Sequence, residues 1–288
     1  MIGVDWGTTS FRAWRLAADG TVLEAHTAPS GILGVAGGNF AAVLREQCGA
    51  WLAAGERRVL LAGMVGSRQG WVEAPYLPCP AGIAELAAAL VTIPFDGAEI
   101  RLVPGLSARD GQNVAEVMRG EETQITGLDL ADGIVCLPGS HSKWALLEAG
   151  RVLGFETYFS GEAFAALRSA TILGRMMRDG PTDLAAFDRG LARAREPGHL
   201  LHHLFGVRTL GLTGALAETD SASYLSGLLI GHEVGAAMPR GARVKVVANT
   251  ELSALYAHAI TVLGGEASRA SPDVSARGLA RIGAMAWH

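Results

Sequence analysis

Asp5 stands near the end of an apolar run, Ile2 to Trp6, and is followed at once by Gly7-Thr8-Thr9-Ser10. A carboxylate at the end of a buried strand, ahead of a glycine turn rich in hydroxyls, suits polyphosphate chemistry. Magnesium keeps much of its water shell, so Asp5 alone can hold it through water. The turn's N–H groups and the hydroxyls of Thr8, Thr9 and Ser10 can meanwhile face phosphate oxygens. An ordinary hairpin with no ligand is the competing reading of this segment taken alone. A second such run, Leu137-Pro138-Gly139-Ser140-His141-Ser142-Lys143-Trp144, keeps the glycine and hydroxyls but lacks the acid. Two such hairpins with one carboxylate between them fit phosphoryl transfer, where positioning and charge neutralisation supply most of the catalysis. Lys143 either adds charge there, meets a substrate acid, or is a solvated strand lysine.

Two further clusters carry polar side chains suited to a small ligand. From Gly63 the chain reads Met64-Val65-Gly66-Ser67-Arg68-Gln69-Gly70-Trp71-Val72-Glu73, then Tyr76. Arg68 offers a planar fork for a carboxylate, Gln69 and Glu73 offer hydrogen bonds, and Trp71 and Tyr76 offer apolar walls. The alternative is that Arg68 and Glu73 simply pair on the surface. In Met118-Arg119-Gly120-Glu121-Glu122, an acid pair follows a glycine at an expected helix start near the lobe boundary, where a substrate hydroxyl would need a base; a solvated helical charge pair is the competing reading of this segment taken alone. There is no Gly-Lys dipeptide and no G-x-G-x-x-G run, which removes the Walker and Rossmann modes of nucleotide binding.

The elements that must position these groups begin with a meander of strands at Ile2 to Trp6, Phe11 to Leu16 and Thr21 to Thr27. A helix capped by Asn39 and a strand at Val59 to Met64 follow. Helices are expected at Ala84 to Leu90, Asn113 to Arg119 and Glu121 to Leu128, and strands at Val91 to Phe95 and Ile100 to Val103. From Gly133 the opening pattern returns. Aligning Gly7-Thr8-Thr9-Ser10 with Gly139-Ser140-His141-Ser142 pairs Thr21-Val22-Leu23 with Arg151-Val152-Leu153, Thr27 with Thr157 and Ser30-Gly31 with Ser160-Gly161, the mark of a duplicated unit. Helices are then expected at Glu162 to Met177, Leu184 to Arg195, Leu200 to Leu204, Ala222 to Ala237, Glu251 to Leu263 and Val274 to Met285, with a strand at Arg243 to Ala248.

Composition bounds the rest. At 288 residues, two domains are the natural division, expected at 1–125 and 126–288 with the last helix packing back on the first lobe. A net charge of −4 without any basic block argues against nucleic acid. Without a signal-like N-terminus or an apolar stretch of membrane length, a cytoplasmic protein with no membrane partner is expected. Cys48, Cys79 and Cys136 are too scattered for a disulfide framework or zinc ribbon. Oligomeric state stays open, a homodimer included.

Taken together, DWGTTSFRAW from Asp5, GMVGSRQGWVEAPY from Gly63, MRGEETQ from Met118, LPGSHSKW from Leu137 and YLSGLLIGHE from Tyr224 resemble the 2-dehydro-3-deoxygalactonokinase family of actin/hexokinase/Hsp70-type sugar kinases. The resemblance spans nearly the whole chain. It implies an α/β fold of two duplicated ribonuclease H-like lobes, each a mixed sheet flanked by helices, with ATP and Mg2+ in an interlobe cleft. It further implies phosphorylation of the C6 hydroxyl of a sugar acid, with Glu121 as base, Asp5 as the metal-associated carboxylate and Arg68 and Glu73 among the sugar-binding groups. A kinase for another small sugar or sugar acid, or a non-catalytic actin-like nucleotide switch, is the alternative. The chain departs from the family pattern in two places. Val247-Ala248-Asn249-Thr250-Glu251 replaces a glycine-rich adenosine turn, and no histidine occurs in Leu167 to Leu173. The adenine contacts are therefore left unassigned.

Overall fold

The structure is a computed structural model that describes residues 1–271 and 273–287. Its elements run in chain order as β1 (Ile2–Trp6), β2 (Phe11–Leu16), β3 (Val22–Ala28), α1 (Phe40–Ala53), β4 (Arg58–Ala62), β5 (Tyr76–Pro78), β6 (Ala81–Gly82), α2 (Ile83–Ala88), β7 (Val91–Ile93), β8 (Glu99–Leu102), β9 (Gly105–Arg109) and β10 (Ala115–Met118). They continue with α3 (Glu121–Thr126), β11 (Gly133–Leu137), β12 (Ser142–Glu148), β13 (Arg151–Tyr158), α4 (Ser160–Ala170), α5 (Leu184–Arg195), α6 (Leu200–Leu212), α7 (Ser221–Ala237), β14 (Arg243–Val246), α8 (Thr250–Val262), β15 (Glu266–Arg269) and α9 (Val274–Ala286).

The duplication read from the sequence is visible in strand order. One sheet runs β3-β2-β1-β4-β8 with β7 added at its end; the other runs β13-β12-β11-β14-β15 with β6 added beside β13. Numbered within each copy, both follow 3-2-1-4-5. In the first, β1 pairs antiparallel with β2 and parallel with β4. In the second, β11 is likewise parallel to β14, and β14 to β15. A third, three-stranded sheet has the order β10-β9-β5.

Two compact units result, one of residues 1–133, 145–155 and 270–288, the other of 134–144 and 156–269. In the first, β1 is buried on both faces, and Trp6, Phe11 and Phe40 meet edge to face with centroids 4.9 and 5.5 Å apart. Helix α9 belongs to this unit and lies against α3 so closely that a Cβ on Gly278 would stand 1.9 Å from the Thr123 carbonyl oxygen. This contact brings the first turn of α9 to β1. In the second unit α5 and α7 pack on glycine, since a Cβ on Gly227 would come within 2.0 Å of the Phe187 carbonyl oxygen. Gly227 of the YLSGLLIGHE segment therefore serves helix packing.

Several element expectations need correction. Residues 113–119 form no helix; Ala115–Met118 is a strand paired with β9. The Asp110 carboxylate accepts from the backbone N–H of Gln112 and Val114, and Asn113 takes φ 63, which builds a tight hairpin turn that propensity alone does not reveal. The helix expected to Met177 stops at Ala170, where the Thr171 hydroxyl donates to the Leu167 carbonyl and takes a bond from the Leu173 N–H. Helix α6 runs on to Leu212, well past the expected Leu204. Strands β5, β6, β9 and β15 are short and were not anticipated.

Candidate active site

In the first unit, Asp5 sits in β1 with Arg12 opposite it in β2. Its Oδ2 is ion-paired with Arg12 and accepts a 3.0 Å bond from the Ser275 hydroxyl at the start of α9. Oδ1 has no hydrogen-bond partner among the described residues and lies 3.2 Å from where a Cβ on Gly63 would stand. Gly63 in turn faces Gly120, whose own added Cβ would fall 3.3 Å from the Gly63 Cα. Two glycines with positive φ, 92° and 106°, therefore let the end of β4 and the start of α3 close upon the carboxylate of β1. The structure thus brings Asp5 and the Gly120-Glu121-Glu122 turn together.

The two acids of that turn are not equivalent. Glu121 is half-buried and its Oε2 accepts a 3.0 Å bond from the Arg119 N–H. Glu122 is buried, with Oε2 accepting from the Gly120 N–H at 2.7 Å and Oε1 from the Thr123 hydroxyl at 3.0 Å. Burial, reinforced by the neighbouring Glu121 charge, pushes the Glu122 carboxyl up to about 8. Because the folded chain then holds a proton that the unfolded chain releases above its ordinary value of 4.5, stability falls as pH rises from about 5 to 8. Glu122→Gln is expected to flatten this slope and raise Tm at pH 8, by a stabilisation on the order of 3 kcal/mol. Thermal melts of both proteins across that range check it.

The Gly7 to Ser10 turn is a hairpin closed by a 2.9 Å bond from the Gly7 N–H to the Ser10 carbonyl. Its carbonyls are occupied from behind: Gly7 O accepts from the Ile32 N–H and Thr8 O from the Leu33 N–H. A Cβ on Gly31 would sit 2.3 Å from the Thr8 oxygen, so only glycine allows this seat. The other unit repeats the device. A Cβ on Gly161 would stand 2.1 Å from the Gly139 oxygen, and the Glu162 N–H donates to Ser140 O at 2.9 Å. The Ser-Gly pair that aligned in both halves of the sequence is therefore the brace of each hairpin, and Thr8, Thr9, Ser10, Gly139, Ser140 and His141 are left exposed.

Ser142 and Lys143 differ from these. Ser142 is buried, and its hydroxyl bonds the Tyr256 hydroxyl at 2.9 Å, while Tyr256 donates to Glu233 Oε2 at 2.8 Å. Tyr256 has one proton, given to Glu233, so the Ser142 proton is committed to Tyr256; the hydroxyl braces the hairpin from inside. Trp144 Nε1 donates to the other Glu233 oxygen at 2.9 Å. Burial raises the Glu233 carboxyl above its ordinary range, and burial together with Glu233 raises the Tyr256 hydroxyl. Lys143 is 5% exposed, which ends its reading as a solvated strand lysine. His141 is exposed, stacks on Phe159 and bonds Glu162 Oε2 at 2.6 Å.

Beside this hairpin, within the second unit, lies a cavity of about 410 Å³. Gly139, Ser160 and Gly161 line it together with apolar Phe164, Leu229, Leu252 and Leu255 and polar Ser226, Asn249 and Glu251. The segment that departs from the glycine-rich pattern contributes here. Asn249 caps α8 by accepting from the Leu252 N–H at 2.9 Å, and Glu251 accepts from the Thr182 hydroxyl at 3.1 Å.

The Arg68 to Tyr76 cluster is dispersed. Arg68, 87% exposed, pairs with Glu73 at 3.5 Å, as its surface alternative anticipated, and Gln69 is exposed. Trp71 turns inward, stacked on Phe40 with centroids 6.2 Å apart, so it is largely a core residue. Tyr76 lies under the guanidinium of Arg119, 4.3 Å from Cζ to the ring centre. Sequence reasoning passed over Arg119, Ser275 and Glu233. Arg119 was visible beside the acid pair, whereas nothing local signals that Ser275, 270 positions from Asp5, would meet it. Among the described residues no cluster of three or more metal-ligating side chains occurs, and a single carboxylate with an open oxygen fits a largely hydrated magnesium better than a transition metal. The described residues include no helix long and apolar enough to cross a membrane.

The 3-2-1-4-5 sheet and the glycine-braced hairpin, each occurring twice, define an α/β fold of the actin-like ATPase type, the class that includes sugar kinases. The chain belongs to the 2-keto-3-deoxy-galactonokinase family, whose model matches residues 5–282. An Escherichia coli 2-dehydro-3-deoxygalactonokinase is 33% identical over 279 residues, covering 95% of this chain and 94% of its own. The crystal structure of a candidate 2-dehydro-3-deoxygalactonokinase from Sinorhizobium meliloti matches with a TM-score of 0.90 at 35% identity over 99% of both chains. The activator of 2-hydroxyisocaproyl-CoA dehydratase from Clostridium difficile, solved with ADPNP, shares the fold at a TM-score of 0.52 and 12% identity, over 99% of this chain and 94% of its own.

Proposed function

We propose that this chain is an ATP-dependent kinase that phosphorylates the C6 hydroxyl of 2-dehydro-3-deoxy-D-galactonate. The C6 oxygen attacks the γ-phosphorus in line, the bond from that phosphorus to the β–γ bridging oxygen breaks, and the hydroxyl proton passes to Glu121. The products are ADP and 2-dehydro-3-deoxy-6-phosphogalactonate. The observation that carries this reading is the convergence of Asp5, Gly63 and Gly120 in a chain of this family, which supports a proton acceptor on the Gly120-Glu121 turn working with a metal-competent Asp5.

In this reading Asp5 holds Mg2+ through water, and the metal, when bound, neutralises phosphate charge. Gly7, Thr8, Thr9 and Ser10 meet phosphate oxygens from one hairpin and Gly139, Ser140 and His141 from the other. The adjoining cavity accepts the nucleoside, its apolar walls suiting a purine and Glu251 or Asn249 the ribose hydroxyls. Arg68, Gln69, Glu73, Tyr76 and Lys143 are assigned to the sugar acid, with Trp71 supporting them from the core.

An ADP-release assay over a panel of sugars and sugar acids tests the assignment. The highest kcat/KM is expected for 2-dehydro-3-deoxygalactonate, with phosphorus–proton coupling in the product placing the phosphate on C6. ATP turnover indifferent to any added sugar acid would overturn it, and a better substrate in the panel would redirect it.

A further inference from the structure

We propose that the Arg119 guanidinium, assisted by the Ser67 hydroxyl, receives the carboxylate of the substrate; the inference rests on the sugar-acid reading above. Arg119 is 8% exposed. Nη2 donates to the Ala74 carbonyl at 2.8 Å, but Nε and Nη1 are shut away from solvent without an acceptor. No carboxylate among the described residues forms an ion pair with it. A buried cation lacking its counter-ion is destabilising, and each unmade hydrogen bond adds to that cost. Such a group persists where an anion completes it.

The surroundings suit a planar anion. The Tyr76 ring covers one face of the guanidinium at 4.3 Å, leaving the edge nitrogens for in-plane hydrogen bonds. A Cβ on Gly66 would stand 3.0 Å from Nη1, so glycine keeps that nitrogen's flank clear. The next residue, Ser67, holds the second buried group without a partner, its Oγ. Arg68 is a poorer receptor, because it is solvated and already balanced by Glu73 at 3.5 Å. The backbone N–H of Arg119 also donates to Glu121 Oε2 at 3.0 Å, so the carboxylate receptor and the proposed base belong to one short turn.

The test compares 2-dehydro-3-deoxygalactonate with its C1 carboxamide in wild type, Arg119→Lys and Ser67→Ala. The wild type is expected to favour the acid strongly. Arg119→Lys should lose about 100-fold in kcat/KM for the acid, mainly through KM, with the carboxamide and the KM for ATP little changed. Ser67→Ala should lose about 10-fold in the same sense. A merely structural cross-link would lower both substrates together. An acid-to-carboxamide ratio kept by the folded variants overturns the proposal, and if Arg119→Lys does not fold, the ratio in Ser67→Ala decides. A wild type that phosphorylates no sugar acid overturns the activity reading and this one with it; a working wild type with unchanged ratios in the variants overturns this one alone.

Discussion

Glu121→Gln is expected to lower kcat for phosphoryl transfer by about 100- to 10,000-fold, the span usual for loss of a positioned general base, with the KM for ATP changed little. The amide oxygen can still accept from the Arg119 N–H, now 3.0 Å from Oε2, so the turn and its helix start should hold. What disappears is the capacity to take the hydroxyl proton. Glu122→Gln supplies the contrast. Glu122 is 1% exposed and its carboxyl is bonded to Gly120 and Thr123 of its own turn, so both of its oxygens are already engaged there. That variant should keep kcat within about tenfold. A reversal, with the Glu122 variant inactive and the Glu121 variant competent in steady-state assays, would move the base to Glu122.

Much of this arrangement was legible in the residues because it is local. The β1 and β2 hairpin, the Asn39 cap and the acid turn each depend on a few adjacent side chains, and the boundaries of β1 and β2 and the start of α3 follow from them. The Ser-Gly repeat was visible as a pattern, but its purpose required coordinates, since the backbone oxygen that excludes a Cβ at Gly31 lies more than twenty residues away. Burial was the least legible property. Lys143 and Arg119 look like surface residues by type, yet neighbours distant in sequence bury both, and Trp71, which looks like a ligand wall, is half-buried against Phe40. Strand Ala115–Met118 was misread because an Asx turn at Asp110 sets its direction, a hydrogen-bond pattern that outweighs the modest helix propensity of the segment.

Asp5→Asn should carry the other large loss, on the order of 100- to 1000-fold in kcat, as expected when charge compensation at a phosphoryl-transfer site is removed. Asparagine is the informative replacement because it separates charge from structure. Its side-chain oxygen can still accept from the Ser275 hydroxyl, preserving the contact of 3.0 Å by which β1 meets the first turn of α9. Arg12 loses its ion pair, but its side chain is 39% exposed, so water can replace most of that interaction and the Tm should move by only a few degrees. The negative charge is the one property of the position that water cannot restore. If Asp5 holds hydrated magnesium, the variant should need a higher Mg2+ concentration for half-maximal rate, whereas a carboxylate serving only to pair with Arg12 would leave that requirement unchanged. Titrating Mg2+ at saturating ATP in wild type and variant decides between them. Arg12→Ala sharpens the comparison, since removing the competing cation should lower the Mg2+ requirement if the metal and the guanidinium share the same carboxylate.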